Sequence, residues 1–338
     1  MGKKAAVIRG DGTGPELVNA MLSVLKACNT KVELIECDAG SEWWEKHGGD
    51  SYISPETWKL LEESDACFKG PTTTVPVPTA PRSVAVSIRQ QFVLYANIRP
   101  IKSYGKSERK LDFVCVREAT EGLYAGIEFK VGDDAAIAIR KITRNRCERV
   151  ATKAFEVAKE RGFKKVIAIT KRNILKETDG IFMQAVNKAQ SQNSGIEVEE
   201  YFIDNMCQQL VKNPERFNQC ILLSTNLFMD IVSETASGHL GSIGNVYSGN
   251  IGDNYAMFEP AHGSAPKYKG MNKVNPVATI LSGAWMVEYL GEKDIAKAIF
   301  AATDQVINEG KYVTYDLGGN ATTSQVAEQI AARASKML

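Results

Sequence analysis

The sequence predicts an α/β protein of two domains, and three observations lead to that class. Short apolar strands alternate with amphipathic helices through the first hundred residues, the signature of a parallel sheet covered by helices. From about residue 111 the alternation gives way to consecutive apolar runs separated by turns. It resumes after about 146, and the last third of the chain is mainly helical in its spacing. The simplest division places 1–100 and 251–338 in one large domain, with 101–250 inserted as a smaller one.

Taken in order, "AAVIRG" is a strand, a helix runs over 14–28, "KVELIEC" is a strand, a helix covers about 55–63 and "DACFKG" is a third strand. "LDFVCVRE", "GLYAGIEFKV" and "DAAIAIRKI" follow one another closely enough to predict consecutive antiparallel strands. A helix over about 146–161, the strand "KKVIAIT" and further alternation lead to "CILLST". Residues 238–252 hold five glycines and are expected to form a loop. Three helices close the chain, in "NPVATILSGAWMVEYLG", "DIAKAIFAATDQVINEG" and "TTSQVAEQIAARASKML".

Composition excludes several classes of function. With 338 residues, 44% of them hydrophobic, the chain can bury one large or two medium cores. Lysine and arginine total 41 against 40 acidic residues, so no broad positive field invites nucleic acid, and the basic stretch from Arg140 to Arg149 reads as a solvated face. No apolar run is long enough to cross a bilayer. The start, "MGKKAAVIRGDGTGPE", enters a strand without a secretory or transit leader, and the seven cysteines form no C-x-x-C pair, so a reduced, cytoplasmic protein is expected. Only His47, His239 and His262 are available, which disfavours a His-ligated zinc site or a Ser-His triad and points to Lys, Tyr and carboxylates for proton transfer.

Three clusters carry the chemistry. In "RSVAVSIRQQFVLYANIRP", Arg82 and Arg89 are two helical turns apart and are expected to share a face, Arg99 ends a strand, and no acid lies nearby in sequence. A lone arginine there would be read as snorkelling or paired with a distant acid. Arg117, at the end of "LDFVCVRE", makes the set suited to a small substrate with several carboxylates, because planar guanidinium forks bind carboxylates bidentately. The second cluster is acidic. Asp204 follows a strand, and Asp230 and Glu234 are four apart in "NLFMDIVSETA", where a helix stacks them on one face. A hard divalent ion between them, Mg²⁺ or Mn²⁺ given oxygen-only ligands, and two solvated acids are equally good readings of that spacing. The third is "FEPAHGSAPKYKGMNKVNP", a loop whose Lys267, Tyr268, Lys269 and Lys273 could cradle a phosphate beside an aromatic ring. "GDGTGPE" resembles a phosphate loop only superficially, since it is neither the dinucleotide fingerprint nor a Walker motif.

Together these stretches resemble the decarboxylating β-hydroxyacid dehydrogenases, the family of isocitrate, isopropylmalate, homoisocitrate and tartrate dehydrogenases. "GDGTGPE", "KGPTTT", "RSVAVSIRQ", "YANIRP", "VREATEGLYAGIEF", "KRNILKETDG", "DNMCQQLV", "NLFMDIVSE" and "EPAHGSAPKYKG" stand in the family's order and spacing over nearly the whole chain. The resemblance implies the family fold, two domains around a cleft and not a standard Rossmann domain. It also implies a homodimer whose sites share residues. By motif, Arg89, Arg99 and Arg117 would bind substrate carboxylates, so that the counter-ions missing from the local sequence are on the substrate. Tyr124 would protonate the enol, and Lys171, donated by the neighbouring subunit, would assist removal of the hydroxyl proton. Asp204, also from the neighbour, and Asp230 would hold the metal, with Glu234 standing where the family usually has Asp, its carboxylate one methylene further out.

Within the family, Arg82 and Ser83 match the isocitrate pattern, in which Ser83 would bind the substrate, but Ala85 replaces an expected asparagine, which keeps homoisocitrate as the competitor. The nicotinamide nucleotide would lie on Thr72, which also faces the substrate, and on Glu259, His262, Gly263, Ser264, Ala265, Lys267, Tyr268, Val274, Asn275 and Tyr315. Lys267 and Tyr268 stand where NAD-dependent members place an acid, so the resemblance implies NADP, although Gly319 occupies the position of an arginine that completes the phosphate clamp in some members. The implied reaction is oxidative decarboxylation of isocitrate to 2-oxoglutarate and CO₂. A catalytically silent subunit of the same fold would have lost some of Tyr124, Lys171, Asp204 or Asp230, and this chain keeps all four.

Overall fold

The structure is a computed structural model that describes residues 2–77, 79–105 and 107–338. The strands are β1 (Lys4–Ile8), β2 (Glu33–Cys37), β3 (Ala66–Lys69), β4 (Ala96–Lys102), β5 (Asp112–Glu118), β6 (Glu128–Val131), β7 (Ala135–Ala138), β8 (Lys165–Thr170), β9 (Glu197–Phe202), β10 (Cys220–Ser224), β11 (Tyr247–Ile251) and β12 (Ala256–Pro260). The helices are α1 (Gly14–Ala27), α2 (Ser41–His47), α3 (Pro55–Glu62), α4 (Val84–Gln91), α5 (Arg144–Arg161), α6 (Lys176–Ser191), α7 (Ile203–Lys212), α8 (Asn226–Ser237), α9 (Val277–Tyr289), α10 (Lys293–Glu309) and α11 (Thr323–Ala334).

Ten strands form one sheet in the order β2-β1-β3-β12-β11-β4-β5-β10-β8-β9. Its two flanks are parallel, and the turn-over between them is made by β11, antiparallel to β12 and β4, and by β4, antiparallel to β5. Strand periodicity sorts side chains between the faces: Ala5 and Val7 enter the core under α1, α9, α10 and α11, while Ala6 and Ile8 enter the core with Leu61, Val84 and Ile88 on the other side. The other flank repeats the scheme, with α5 and α6 over one face and Met206, Leu210, Met229 and Val232 of α7 and α8 over the other. Ser54 caps α3 by accepting from Thr57 N at 3.0 Å, and Thr322 with Gln325 forms a capping box on α11. Among the described residues no helix is long and apolar enough to cross a membrane.

Three sequence expectations change. The glycine-rich stretch 238–252 is not all loop, because 247–251 is the central strand β11. Gly249 there lies under an aromatic pair: a Cβ would meet Trp285 Cζ3 at 3.0 Å and Phe258 Cε1 at 3.2 Å, so the glycine answers cross-sheet packing and not a turn. The three consecutive strands exist but do not form one meander: β5 joins the main sheet, and β6 and β7 make a separate two-stranded hairpin. Arg82 does not share a helical face with Arg89. It precedes Ser83, the N-cap of α4, and its guanidinium turns to Gln90 Oε1.

Candidate active site

The N-terminal glycine-rich turn ties the loops of the site together. Asp11, buried, accepts from Ser41 N (3.0 Å), Glu42 N (2.8 Å) and Thr73 N (2.7 Å), so one carboxylate ties the start of α2 to the threonine loop after β3. The amides of 11–14 are spent internally, on Pro71 O, Glu42 Oε1, Ser264 O and Asp11 O, leaving none free for an anion. The Thr73 and Ser264 hydroxyls meet at 2.6 Å, joining the threonine loop to the 261–276 loop. Thr72 is half-buried beside Lys69, whose Nζ reaches its Oγ1 at 3.4 Å.

Arginines from three elements converge at the centre of the sheet. Arg89, on α4, donates to Asn250 Oδ1 and Glu259 Oε1, both at 2.8 Å, and Lys69 holds the other oxygen of Glu259 at 3.0 Å. Burial alone would raise the Glu259 carboxyl, but Lys69 and Arg89 overcome it and hold its pKa down to about 2. Arg99, on β4, donates to Asn97 Oδ1 (2.8 Å), Ser233 Oγ (3.0 Å) and Glu234 Oε1 (2.7 Å). Arg117, at the end of β5, donates to Asn226 Oδ1 at 2.9 Å and to Asp230. Burial and the nearby Arg99 pull Arg117 down to about 10 against the opposing charge of Asp230, so it remains a cation at neutral pH.

Tyr124, 40% exposed in a short 3₁₀ turn over 123–125, donates its hydroxyl to the other oxygen of Asp230, with the Arg117 guanidinium 5.1 Å over its ring. Partial burial, the bond to Asp230 and the charge of Asp230 raise its pKa, which keeps the phenol protonated as a donor. Asp230 and Glu234 do share one face of α8, and the positive charge beside them here is guanidinium: Arg99 bridges both, its NH2 at 3.8 Å from Asp230 Oδ1. Each arginine therefore has a carboxylate within its own chain, from residues more than a hundred positions away in sequence, where the local sequence had shown none. A buried guanidinium left without a counter-ion would cost several kcal/mol, and that cost explains the pairing.

Lys171 and Asp204 stand elsewhere. Lys171 follows β8, its backbone N–H fixed by buried Asp179 (2.6 Å), which is in turn held by Arg140 (2.9 Å). Its Nζ donates to Asp204 Oδ1 at 2.6 Å in the first turn of α7, and that bond lowers the Asp204 pKa. The Asp204 side chain is 68% exposed. Asp204 thus does not join Asp230 and Glu234 within one chain. Among the described residues no three His, Cys, Asp or Glu side chains are grouped closely enough to hold a metal ion.

The remaining predicted residues line the 261–276 loop. His262 keeps Nδ1 on Gly263 O (3.0 Å), while its buried Nε2 has no partner, and burial holds the ring neutral. Gly263 is exposed, buried Ser264 accepts from Thr13, and Ala265 takes a left-handed turn at φ 40°. Lys267 lies over the Tyr268 ring (4.8 Å), Lys273 over the Tyr315 ring (4.6 Å), and the two rings are 6.0 Å apart. Val274 O accepts from Thr323, and Asn275 donates to Asn245 (3.1 Å) and Asp316 (3.0 Å). A side chain at Gly319 would place Cβ 2.1 Å from Val313 O, so this turn has no room for the arginine of other members. Glu259 departs from the expected grouping, because both of its oxygens are taken by Lys69, Arg89 and Asn250. Lys69, Asn97, Asn226 and Asn250 join the site beyond the residues expected from the motifs. For Lys69 and Asn97 the available signal was a polar side chain inside an otherwise apolar strand, as in "LYANIRP", whereas Asn226 opens α8 and carries no such mark.

The family model for isocitrate/isopropylmalate dehydrogenase matches residues 4–330. The 3-isopropylmalate/3-methylmalate dehydrogenase of Methanocaldococcus jannaschii is 39% identical, with 98% of each chain covered. The isocitrate/homoisocitrate dehydrogenase of Thermus thermophilus is 38% identical over 98% of each chain. The crystal structure of isocitrate dehydrogenase from Methylococcus capsulatus superposes with a TM-score of 0.92 at 38% identity, covering 98% of this chain and 99% of that one. With this sheet order, these site residues and matches along its length, the chain belongs to the isocitrate/isopropylmalate dehydrogenase family and is one of its decarboxylating dehydrogenases.

Proposed function

We propose that the protein oxidises and decarboxylates isocitrate to 2-oxoglutarate and CO₂, passing hydride to NADP, as a homodimer with shared sites. The observation that carries this reading is the convergence of Arg99, Arg117 and Tyr124 on one carboxylate, Asp230, with Arg89 close by. A substrate with several carboxylates can replace Asp230 and Glu234 on those guanidiniums, which releases the two acids toward a cation. Their oxygen-only donor set suits Mg²⁺ or Mn²⁺, with Asp204 supplied by the second subunit because this chain keeps it apart. Such an ion, when bound, supplies Lewis-acid stabilisation of the charge that develops on loss of CO₂.

The chain's own groups do the rest. The arginines orient the acid, Tyr124 keeps a proton to give to the enol carbon, and Lys171 with Asp204 forms a relay able to take the hydroxyl proton. On the nucleotide side, the orphaned His262 Nε2 suits the exocyclic amine of adenine, and Lys267, Lys273, Tyr268 and Tyr315 form a cationic, aromatic pair of walls for a 2′-phosphate. The large portion, 1–100 with 251–338, carries the nucleotide in this reading, and 101–250 carries the metal and dimer residues.

Homoisocitrate is the second reading, favoured by Ala85, which leaves space and no polar group one turn before Arg89. A matrix of isocitrate, homoisocitrate, isopropylmalate and tartrate against NAD and NADP with Mg²⁺, followed by reduced-nicotinamide absorbance, tests the proposal. The highest kcat/KM is expected with isocitrate and NADP. Preference for isopropylmalate, or for NAD, would overturn the corresponding half.

A further inference from the structure

The three arginines share one detail that their carboxylate partners obscure. Arg89 Nε donates to Asn250 Oδ1, Arg99 Nε to Asn97 Oδ1 and Arg117 Nε to Asn226 Oδ1, at 2.8, 2.8 and 2.9 Å. All three asparagines are buried. Each is itself held: Asn97 Nδ2 on Asn250 Oδ1 (2.9 Å), Asn250 Nδ2 on Glu259 Oε1 (2.9 Å) and Met257 O (3.3 Å), and Asn226 Nδ2 on Glu121 O (2.9 Å). Asn97 and Asn250 face each other directly across β4 and β11, so Arg89 and Arg99 hang from one amide pair.

Nε is the guanidinium nitrogen on the stem. An acceptor there fixes the plane of the group and leaves the terminal nitrogens, the ones that form a bidentate fork, for another anion. A carboxylate would fix the plane equally well but would also neutralise the charge. An amide fixes it and leaves the charge intact.

We propose that Asn97, Asn226 and Asn250 are positioning residues that aim Arg99, Arg117 and Arg89 at the substrate's carboxylates, and that their neutrality is the required property. This rests on the reading that these arginines bind the substrate acid, and it says what tunes them. The amides set affinity for the polycarboxylate, and the nucleotide is indifferent to them.

The test compares isosteric Asn97→Asp and Asn226→Asp with Asn97→Ala and Asn226→Ala in the full-length enzyme. The probe is tricarballylate, a tricarboxylate with no hydroxyl to oxidise, titrated calorimetrically with Mg²⁺ present, beside KM for the acid and for the nucleotide. The aspartate variants should lose roughly tenfold or more in tricarballylate affinity, with a matching rise in the acid's KM and nucleotide KM within about twofold; because each gives up its Nδ2 donor to a buried oxygen, Tm falls as well. A merely structural amide predicts a fall in Tm alone: aspartate still accepts from Nε, and the folded variant binds tricarballylate at the wild-type value. That result would overturn the proposal. Should an aspartate variant fail to fold by circular dichroism, the alanine variant at that position decides, with a loss of about threefold or more expected and unchanged affinity overturning it. Arg99→Gln and Arg117→Gln separate the two ideas. If they too bind tricarballylate normally, the assignment of the arginines to the substrate fails. If they lose binding while the asparagine variants keep it, only the positioning role fails.

Discussion

Glu259 carries the negative charge for two cations, buried Lys69 and partly buried Arg89, and its removal is the most informative single change away from the reacting atoms. Glu259→Gln keeps the shape and the bond to Asn250 but leaves Lys69 and Arg89 uncompensated, so a loss of roughly 3 kcal/mol at pH 7 is expected. Its pH dependence has a definite sign. The folded-state pKa, about 2, lies below that of an unfolded glutamate, near 4.3, so the stabilisation is complete above the unfolded value and disappears as pH falls through the folded one. Urea unfolding of wild type and variant from pH 7 to pH 3 should show a constant gap down to about pH 4.5 that narrows below it. A gap unchanged at pH 3 would mean that charge is not the source. At this scale the arginines and Asp230 stood out in the sequence by type and spacing, and Tyr124 only through the family resemblance, but their partners were not legible. Glu259 lies 170 positions from Arg89 and Asn250 lies 161 from it, so only the fold brings them together.

The hairpin of β6 and β7 is the element least explained by one chain. Its register pairs Phe129 with Ile137 and Val131 with Ala135, while Ile139 N bonds Ile127 O, so Ile127, Phe129, Val131, Ile137 and Ile139 fall on one face. All five are more than 40% exposed. An isolated two-stranded ribbon is marginal in water, and one with an apolar face calls for a partner. In the proposed homodimer that partner is a second copy. Phe129→Asp and Ile137→Asp should therefore convert dimer to monomer by sedimentation velocity without unfolding the chain, and lower activity by at least about tenfold. Persistence of a wild-type dimer in both variants would place the interface elsewhere. The strands of this hairpin were readable from their apolar runs, and so were α1, α3 and α5 to within two residues. The pairing was not readable, because periodicity shows that a segment is a strand without showing its neighbour. β11 was hidden for another reason: Gly249 makes room for Trp285, and in a sequence that looks like a turn glycine.

Over the whole molecule the proposed catalytic set is split. Arg117, Tyr124 and Asp230 are joined in one cluster, while Lys171 and Asp204 pair with each other on a different part of the same chain. Either the chain closes on itself or a second copy supplies the missing pair. The two cases differ in a mixing experiment. Arg117→Ala and Lys171→Ala homodimers should each be inactive. In a hybrid with sites shared across the interface, the cleft of the Lys171→Ala chain keeps its own Arg117 and receives an intact Lys171 from its partner, whereas the other cleft lacks both. Denaturing the two variants together and refolding them at equal amounts makes about half of the dimers hybrid, each with one good site in two, and so recovers roughly a quarter of wild-type activity. Refolding each variant alone recovers none, and refolded wild type sets the scale. If the wild-type control regains activity while the mixture stays inactive, Lys171 works in the cleft of its own chain. The separation of Lys171 and Asp204 from Asp230 would then have to be closed by movement within one subunit.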